Sequence, residues 1–277
     1  MNHITAPSAW RAVDFVSDLH LQASTPQTAL AWHHYLAQAS CDALFILGDF
    51  FEVWVGDDVL SPNASNTLSQ TDQDNALFWQ HCTAELLAAS RRLPIYMIVG
   101  NRDFLLGPNF FKASGVLPLD EETTLNWHGT RYLLAHGDHW CTDDHDYQVF
   151  RSQVRTPAWQ LEFLGQSLAT RMAIAANMRH QSSQRLRALS VLPDVNEHAL
   201  LASAAAVEAS HVIHGHTHTG LDHLMAGNVR RSVLSDWDCE PAATGAAVPH
   251  APRAQVLRLD SAPANVGVAG TPRRIQL

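Results

Sequence analysis

This sequence predicts an α/β fold in which short buried strands alternate with helices, interrupted once by a long stretch that is helical throughout. Three observations predict it. Short runs rich in branched or aromatic residues, at 12–16, 43–47, 95–99, 132–135 and 212–213, have the length and composition of buried strands. Segments with helical apolar spacing lie between them, whereas 144–195 carries helical patterns and no strand candidate. Each strand run also ends directly in a polar cluster: Asp18-Leu19-His20, Gly48-Asp49, Gly100-Asn101-Arg102-Asp103, His136-Gly137-Asp138 and Gly215-His216-Thr217-His218. The carboxyl ends of strands are where open α/β sheets place ligands.

Taken in order, the first strand and its cluster lead into 28–39, whose stripe through Leu30, Ala31, His34, Leu36 and Ala37 predicts a helix. After the second strand, 61–75 is dominated by Ser, Pro, Asn, Thr, Gln and Asp and reads as a surface loop. Helical spacing returns over 76–91 through Leu77, Phe78, His81, Leu86 and Leu87, and Leu93-Pro94 precedes the third strand. His128-Gly129 sits between 125–127 and 131–135, a hairpin that delivers the His136 cluster. The stretch 144–195 reads as an inserted helical cap, splitting a core of 1–143 and 196–277. Its apolar residues, among them Val149, Phe150, Trp159, Leu161, Phe163 and Leu164, exceed what a lone surface helix shows, and Arg171, Arg179, Arg185 and Arg187 add positive charge. Beyond Asp236 the chain is rich in Ala, Pro and Gly; only 254–259 resembles a strand, followed by a loose tail.

Composition narrows the function. With 277 residues and 46% apolar content the chain can bury the core of one enzyme-sized domain. A net charge of −9 leaves no basic stripe to neutralise phosphates, which argues against a nucleic-acid partner. Four cysteines, Cys41, Cys82, Cys141 and Cys239, show no paired spacing and suit a reducing cytosol. No leader opens the sequence, and no apolar run approaches the roughly 20 residues of a spanning helix.

The five clusters supply chemistry together rather than singly. Asp18, His20, Asp49, Asn101, His136, His216 and His218 mix carboxylate, amide and imidazole, and seven such donors are about what two cations require. In an extended segment alternate residues point the same way, so Asp18 with His20, and His216 with His218, can converge. The chain has 17 histidines, far more than one site uses; His33, His34, His81, His180, His198 and His250 carry no positional argument.

These clusters, in this order, resemble the calcineurin-like metallophosphoesterase superfamily. Ser17-Asp18-Leu19-His20-Leu21, Gly48-Asp49-Phe50-Phe51-Glu52, Gly56-Asp57-Asp58, Asn101-Arg102-Asp103-Phe104-Leu105, Cys141-Thr142-Asp143-Asp144 and Asp194-Val195-Asn196 are most similar to its branch of lipid A pyrophosphatases. The resemblance runs from about Val13 to about His218. It implies a sandwich of two mixed sheets flanked by helices, with the cap enclosing a lipid substrate. It also implies two divalent ions, manganese or a similar one: Asp18, His20 and His218 on the first, Asn101, His136 and His216 on the second, and Asp49 bridging. The implied reaction is attack of water on the phosphorus nearer uridine in UDP-2,3-diacylglucosamine, releasing UMP and 2,3-diacylglucosamine 1-phosphate. The implied location is cytoplasmic, peripheral on the inner membrane.

Arg102 departs from the wider superfamily, which commonly has histidine after that asparagine. A phosphate monoester leaves already stabilised, its second pKa being about 6, so a guanidinium that binds phosphate oxygens serves better than an acid. Arg102 is therefore assigned to catalysis; the resemblance implies Asn101 there as well, and Asn101, Arg102, Asp144, Ser182 and His216 in substrate binding. For Arg102 the duller alternative is an ion pair with Asp103, and for Asp144 a capping role. The branch's cap asparagine and lysine have no counterpart; Arg185 or Arg187 can replace the charge. Competing functions are a phosphoprotein or cyclic-nucleotide phosphoesterase, and a non-catalytic binding module on the same fold.

Overall fold

The computed structural model describes residues 1–277 except 63, 65–67, 189–193, 242–250 and 262–271. Two six-stranded sheets pack face to face. The first contains β1 (Asn2–Thr5), β6 (Glu122–Trp127), β7 (Thr130–Ala135), β8 (His211–His214), β9 (Asp222–Leu224) and β10 (Arg230–Val233), in the order β1-β6-β7-β8-β10-β9. The second contains β2 (Ala12–Val16), β3 (Ala43–Leu47), β4 (Ile95–Ile98), β5 (Leu117–Pro118), β11 (Gln255–Asp260) and β12 (Arg273–Gln276), in the order β12-β11-β2-β3-β4-β5. Both are mixed.

Period-two side chains build the layers. Val13 and Phe15, Phe45 and Leu47, and from the facing sheet Leu125, Trp127, Tyr132, Leu134 and Ile213 interdigitate between the sheets, with Phe15, Phe45 and Tyr96 stacked in a row. Each such fully buried side chain contributes about 1.5–3 kcal/mol. The alternate residues Val16, Leu44 and Ile46 face outward onto the layer of α1 (Pro26–Gln38) and α2 (Gln70–Ser90). Leu133, Ala135 and Val212 face the other way, onto Leu200 and Ala204 of α7 (Glu197–Ala206). α3 (Pro108–Ser114) sits beside α2.

Some elements differ from the sequence expectation. Residues 70–75, read as loop, form the first turns of α2, because the Ser69 hydroxyl accepts from Asp72 N and starts the helix while the polar side chains face outward. The closing segment is not only a tail: β12 pairs antiparallel with β11. The stretch after Asp144 is helical as expected, with α4 (His145–Val154), α5 (Pro157–Leu164) and α6 (Leu168–Ala188). The side chains of Arg185 and Arg187 lie outside the described residues.

β2, β3 and β4 run parallel, as do β7 and β8, with Val16 opposite Ile46, Leu47 opposite Ile98 and Ala135 opposite His214. This register brings the five polar clusters out at one edge of the sandwich.

Candidate dinuclear metal centre

The strand ends are laced together across the two sheets. Asp18 N donates to Gly48 O at 3.1 Å within one sheet, and Gly215 N to His136 O at 2.9 Å within the other. Between sheets, His216 N donates to Asp18 Oδ2 at 2.9 Å, and His136 Nδ1 donates to Leu47 O at 2.9 Å. Gly48 is required at its position: its φ is +91°, and a Cβ would lie 2.8 Å from Gly100 Cα and crowd the His136 ring. Asp18, His20, Asp49, His216 and His218 also adopt left-handed φ, between 49° and 66°. Such conformations cost of order 1–3 kcal/mol each in non-glycine residues and concentrate at functional sites.

All seven sequence-predicted donors converge, in two groups. His218 Nε2 lies 3.1 Å from Asp18 Oδ1, and His20 Nε2 lies 4.0 Å from the same oxygen. Asn101 Oδ1 lies 2.9 Å from both His136 Nε2 and His216 Nδ1. Asp49 stands between the groups, its Oδ2 being 4.0 Å from His20 Nε2 and 3.7 Å from His136 Nε2, while its Oδ1 accepts from Arg102 N at 2.7 Å.

The donor chemistry fits divalent cations. Asp18 Oδ1 and His20 Nε2 are buried and have no hydrogen-bond partner of good geometry. With Nδ1 of His136 donating to Leu47 O, Nε2 faces the Asn101 oxygen, and although burial opposes charge on this ring, Asp49 and Asp18 raise its affinity for a proton, so the position favours positive charge, whether a proton or a cation. Two triads, Asp18 with His20 and His218, and Asp18 with Asp49 and His136, bring their ligand atoms within 4.8 Å of one another.

Charge reinforces the geometry. Burial alone would raise the Asp18 carboxyl, but His218, His136 and His20 around it hold it well below the usual carboxylate range. His218 moves the other way: burial opposes its protonation, yet Asp18 lifts it to about 9. His216 is pushed down to about 4 by burial and by the neighbouring His136, so it is a neutral imidazole at pH 7. The site therefore attracts positive charge at its Asp18 end and keeps a free lone pair at its His216 end.

Two sets of matches place the chain among known proteins. The calcineurin-like phosphoesterase family matches residues 12–220. The UDP-2,3-diacylglucosamine hydrolase of Chromobacterium violaceum is 40% identical over 235 residues, covering 82% of this chain and 90% of the relative. That of Escherichia coli is 38% identical over 232 residues, covering 82% and 91%. The chain belongs to the UDP-2,3-diacylglucosamine hydrolase family of calcineurin-like phosphoesterases. The solved structure of an archaeal phosphodiesterase aligns over 96% of this chain and 99% of its own at 13% identity, with a TM-score of 0.44.

Beside the seven donors lies the feature that distinguishes this family member's site from a bare metal cluster: a cavity of about 320 Å³ between the strand-end loops and the helices α4 to α6. Asn101, Arg102, Phe104, Trp159, Arg179 and Ser182 are among its walls. Trp159 and Phe163 stack with ring centroids 4.8 Å apart, and Arg155 reaches back from the end of α4 to donate to Gly100 O at 2.9 Å.

Several residues resolve differently from their simplest reading. Arg102 makes no pair with Asp103; its Nη1 faces Glu52 Oε1 at 3.5 Å. Asp103 is fully buried and accepts from Gly100 N at 2.7 Å and Phe50 N at 2.8 Å, clipping the Asn101 loop to the Asp49 loop. Asp144 is not a wall of the cavity: its Oδ1 caps α4 by accepting from Tyr147 N at 3.1 Å. Asp57 caps α3 through Asn109 N and Phe110 N, and Arg171, buried, ties α6 to Asp58. Asp138 anchors α4 by accepting from Tyr147 Oη at 2.6 Å and Arg151 Nε at 2.7 Å. Sequence reasoning gave no role to Glu52, although its place three residues after Asp49 in the Gly48 cluster was a usable signal.

Proposed function

We propose that this chain hydrolyses the pyrophosphate of UDP-2,3-diacylglucosamine, giving UMP and 2,3-diacylglucosamine 1-phosphate for lipid A synthesis. The observation that carries this reading is the joining of seven convergent metal donors to an arginine-bearing, aromatic-walled cavity. Asp18, His20 and His218 would hold one cation, Asn101, His136 and His216 the other, and Asp49 would bridge them. When bound, two divalent ions supply the Lewis acidity that makes water nucleophilic near neutral pH and neutralises phosphoryl charge. Oxygen and imidazole donors without thiolate suit manganese.

The chain's own groups orient the reaction. Water attacks the phosphorus nearer uridine, the bond to the bridging oxygen breaks, and both protons of the attacking water pass to solvent as two phosphate monoesters form. Arg102, held against the cavity by its backbone bond to Asp49, donates to the diphosphate oxygens and offsets the charge that grows on them. The departing phosphate monoester needs no acid. Asn101 and His216 contact the phosphates, and Ser182, on the cavity wall, faces the sugar. Asp144, which also caps α4, would contact the sugar or its amide groups.

Residues 144–195 serve as the cap over a core of 1–143 and 196–277. Acyl chains enter between Trp159, Phe163 and Met178, where each buried methylene contributes about 0.8 kcal/mol. Among the described residues no helix is long and apolar enough to cross a membrane. Val149, Leu161 and Leu164 are exposed on the cap helices and provide a peripheral contact with the cytoplasmic face of the inner membrane. The deciding experiment is UMP release from UDP-2,3-diacylglucosamine by chelator-treated protein with and without added manganese. Manganese-dependent UMP release is expected. Faster phosphate release from a phosphoprotein, or faster opening of a cyclic nucleotide, would replace this reading with a competing one.

A further inference from the structure

We propose that Glu52 is a positioning residue that couples the metal centre to two arginines, one from the core and one from the helical cap. The inference rests on the site reading given above. Glu52 lies on the loop after β3, half-buried, and its two carboxylate oxygens divide their work. Oε2 lies 2.9 Å from Nδ1 of His20. Oε1 faces Nη1 of Arg102 at 3.5 Å and Nη1 of Arg179 at 3.6 Å.

On the first side, a carboxylate beside one ring nitrogen of a histidine decides which nitrogen turns to the metal. Here it leaves Nε2 of His20 directed at Asp18 and Asp49, 4.0 Å from an oxygen of each. The Nδ1 contact is close but off-axis, so it is an ionic contact rather than a straight hydrogen bond. On the second side, two guanidinium groups that would repel one another share a single oxygen. Neither is saturated by it. Arg179 Nε is buried and has no hydrogen-bond partner, and both arginines line the cavity with Asn101. That is an unmet donor set with the planar geometry suited to phosphate oxygens. Arg179, one of the four cap arginines singled out in the sequence, brings positive charge from the cap to the cavity. Glu52 thus lets one carboxylate hold a metal-facing imidazole and gather the diphosphate clamp.

Two substitutions separate the halves of this role. Glu52→Gln keeps an oxygen beside His20 but loses the charge that gathers the arginines. It should leave manganese affinity, titrated calorimetrically on chelator-treated protein, within about threefold of wild type, and raise KM for UDP-2,3-diacylglucosamine about tenfold with a smaller change in kcat. Glu52→Ala should in addition weaken manganese binding by about tenfold or more. Arg179→Gln should reproduce the KM effect without the metal effect. Wild-type manganese affinity in Glu52→Ala, or an unchanged KM in both Glu52→Gln and Arg179→Gln, overturns the inference; so does a uniform loss of kcat alone, which signals only a damaged fold. The manganese titration does not depend on the substrate: a wild-type protein that binds manganese but releases no UMP would remove the substrate reading while leaving the His20 half to be judged.

Discussion

His214 ends β8 just before the Gly215 cluster, and its chemistry predicts how the fold fails in acid. It is fully buried with both ring nitrogens engaged: Nδ1 donates to Gly215 O at 2.8 Å and Nε2 accepts from Arg231 Nε at 2.9 Å. A proton on Nε2 would set one N–H against another and place a second positive charge beside the guanidinium. Burial first, and Arg231 second, push this imidazole down from 6.5 to about 3. The folded pKa is depressed, so the stability is complete above the unfolded value of 6.5 and drains as pH falls from there toward 3. Between pH 7 and pH 5 the unfolded chain gains most of a proton that the folded chain refuses, which amounts to about 2 kcal/mol. His216, pushed down to about 4, adds to the slope in the same direction. His214→Gln isolates the first contribution, since an amide still accepts from Arg231 and does not titrate. Urea unfolding of chelator-treated protein from pH 7 to pH 5 should show the wild type losing about 2 kcal/mol more than the variant. Parallel curves would refute the reasoning, whatever the variant's absolute stability.

Three further outcomes are expected. Arg102→Ala should lower the rate of UMP release about 100-fold or more while metal content by elemental analysis stays unchanged; lost metal would reassign the residue to the centre. Asp103→Ala leaves two well-bonded buried N–H groups, of Gly100 and Phe50, without an acceptor and should cost about 2–4 kcal/mol in chemical denaturation together with weakened metal binding, because it releases the loops carrying Asp49 and Asn101. Gly48→Ala should lower the melting temperature by circular dichroism, at a cost of about 2 kcal/mol or more from the imposed φ and the clash with Gly100; an unchanged melt would show that the turn can relax.

Much of the site was legible because its information is local. A strand run followed by Asp-x-His or His-x-His reports both the buried element and the donors at its end, and all seven predicted donors meet in the fold. Helix boundaries were less legible where polar residues fill an exposed face, as in the first turns of α2, whose start is set by one capping hydroxyl. β1 and β12 gave no usable pattern, being four-residue strands with few fully buried side chains.

The order of apolar runs and donor types by itself determined the α/β class and the identity of the candidate ligands, since each follows from residues adjacent in the chain. Only the tertiary structure decided what the remaining charges do. Asp103 became an anchor for the backbone of Phe50, Arg171 a buried strut, and Glu52 the meeting point of His20, Arg102 and Arg179. The physical reason is that a charged side chain takes its role from the partner that neutralises it, and those partners lie tens to more than a hundred residues away, joined by the crossing of two sheets and a helical insertion.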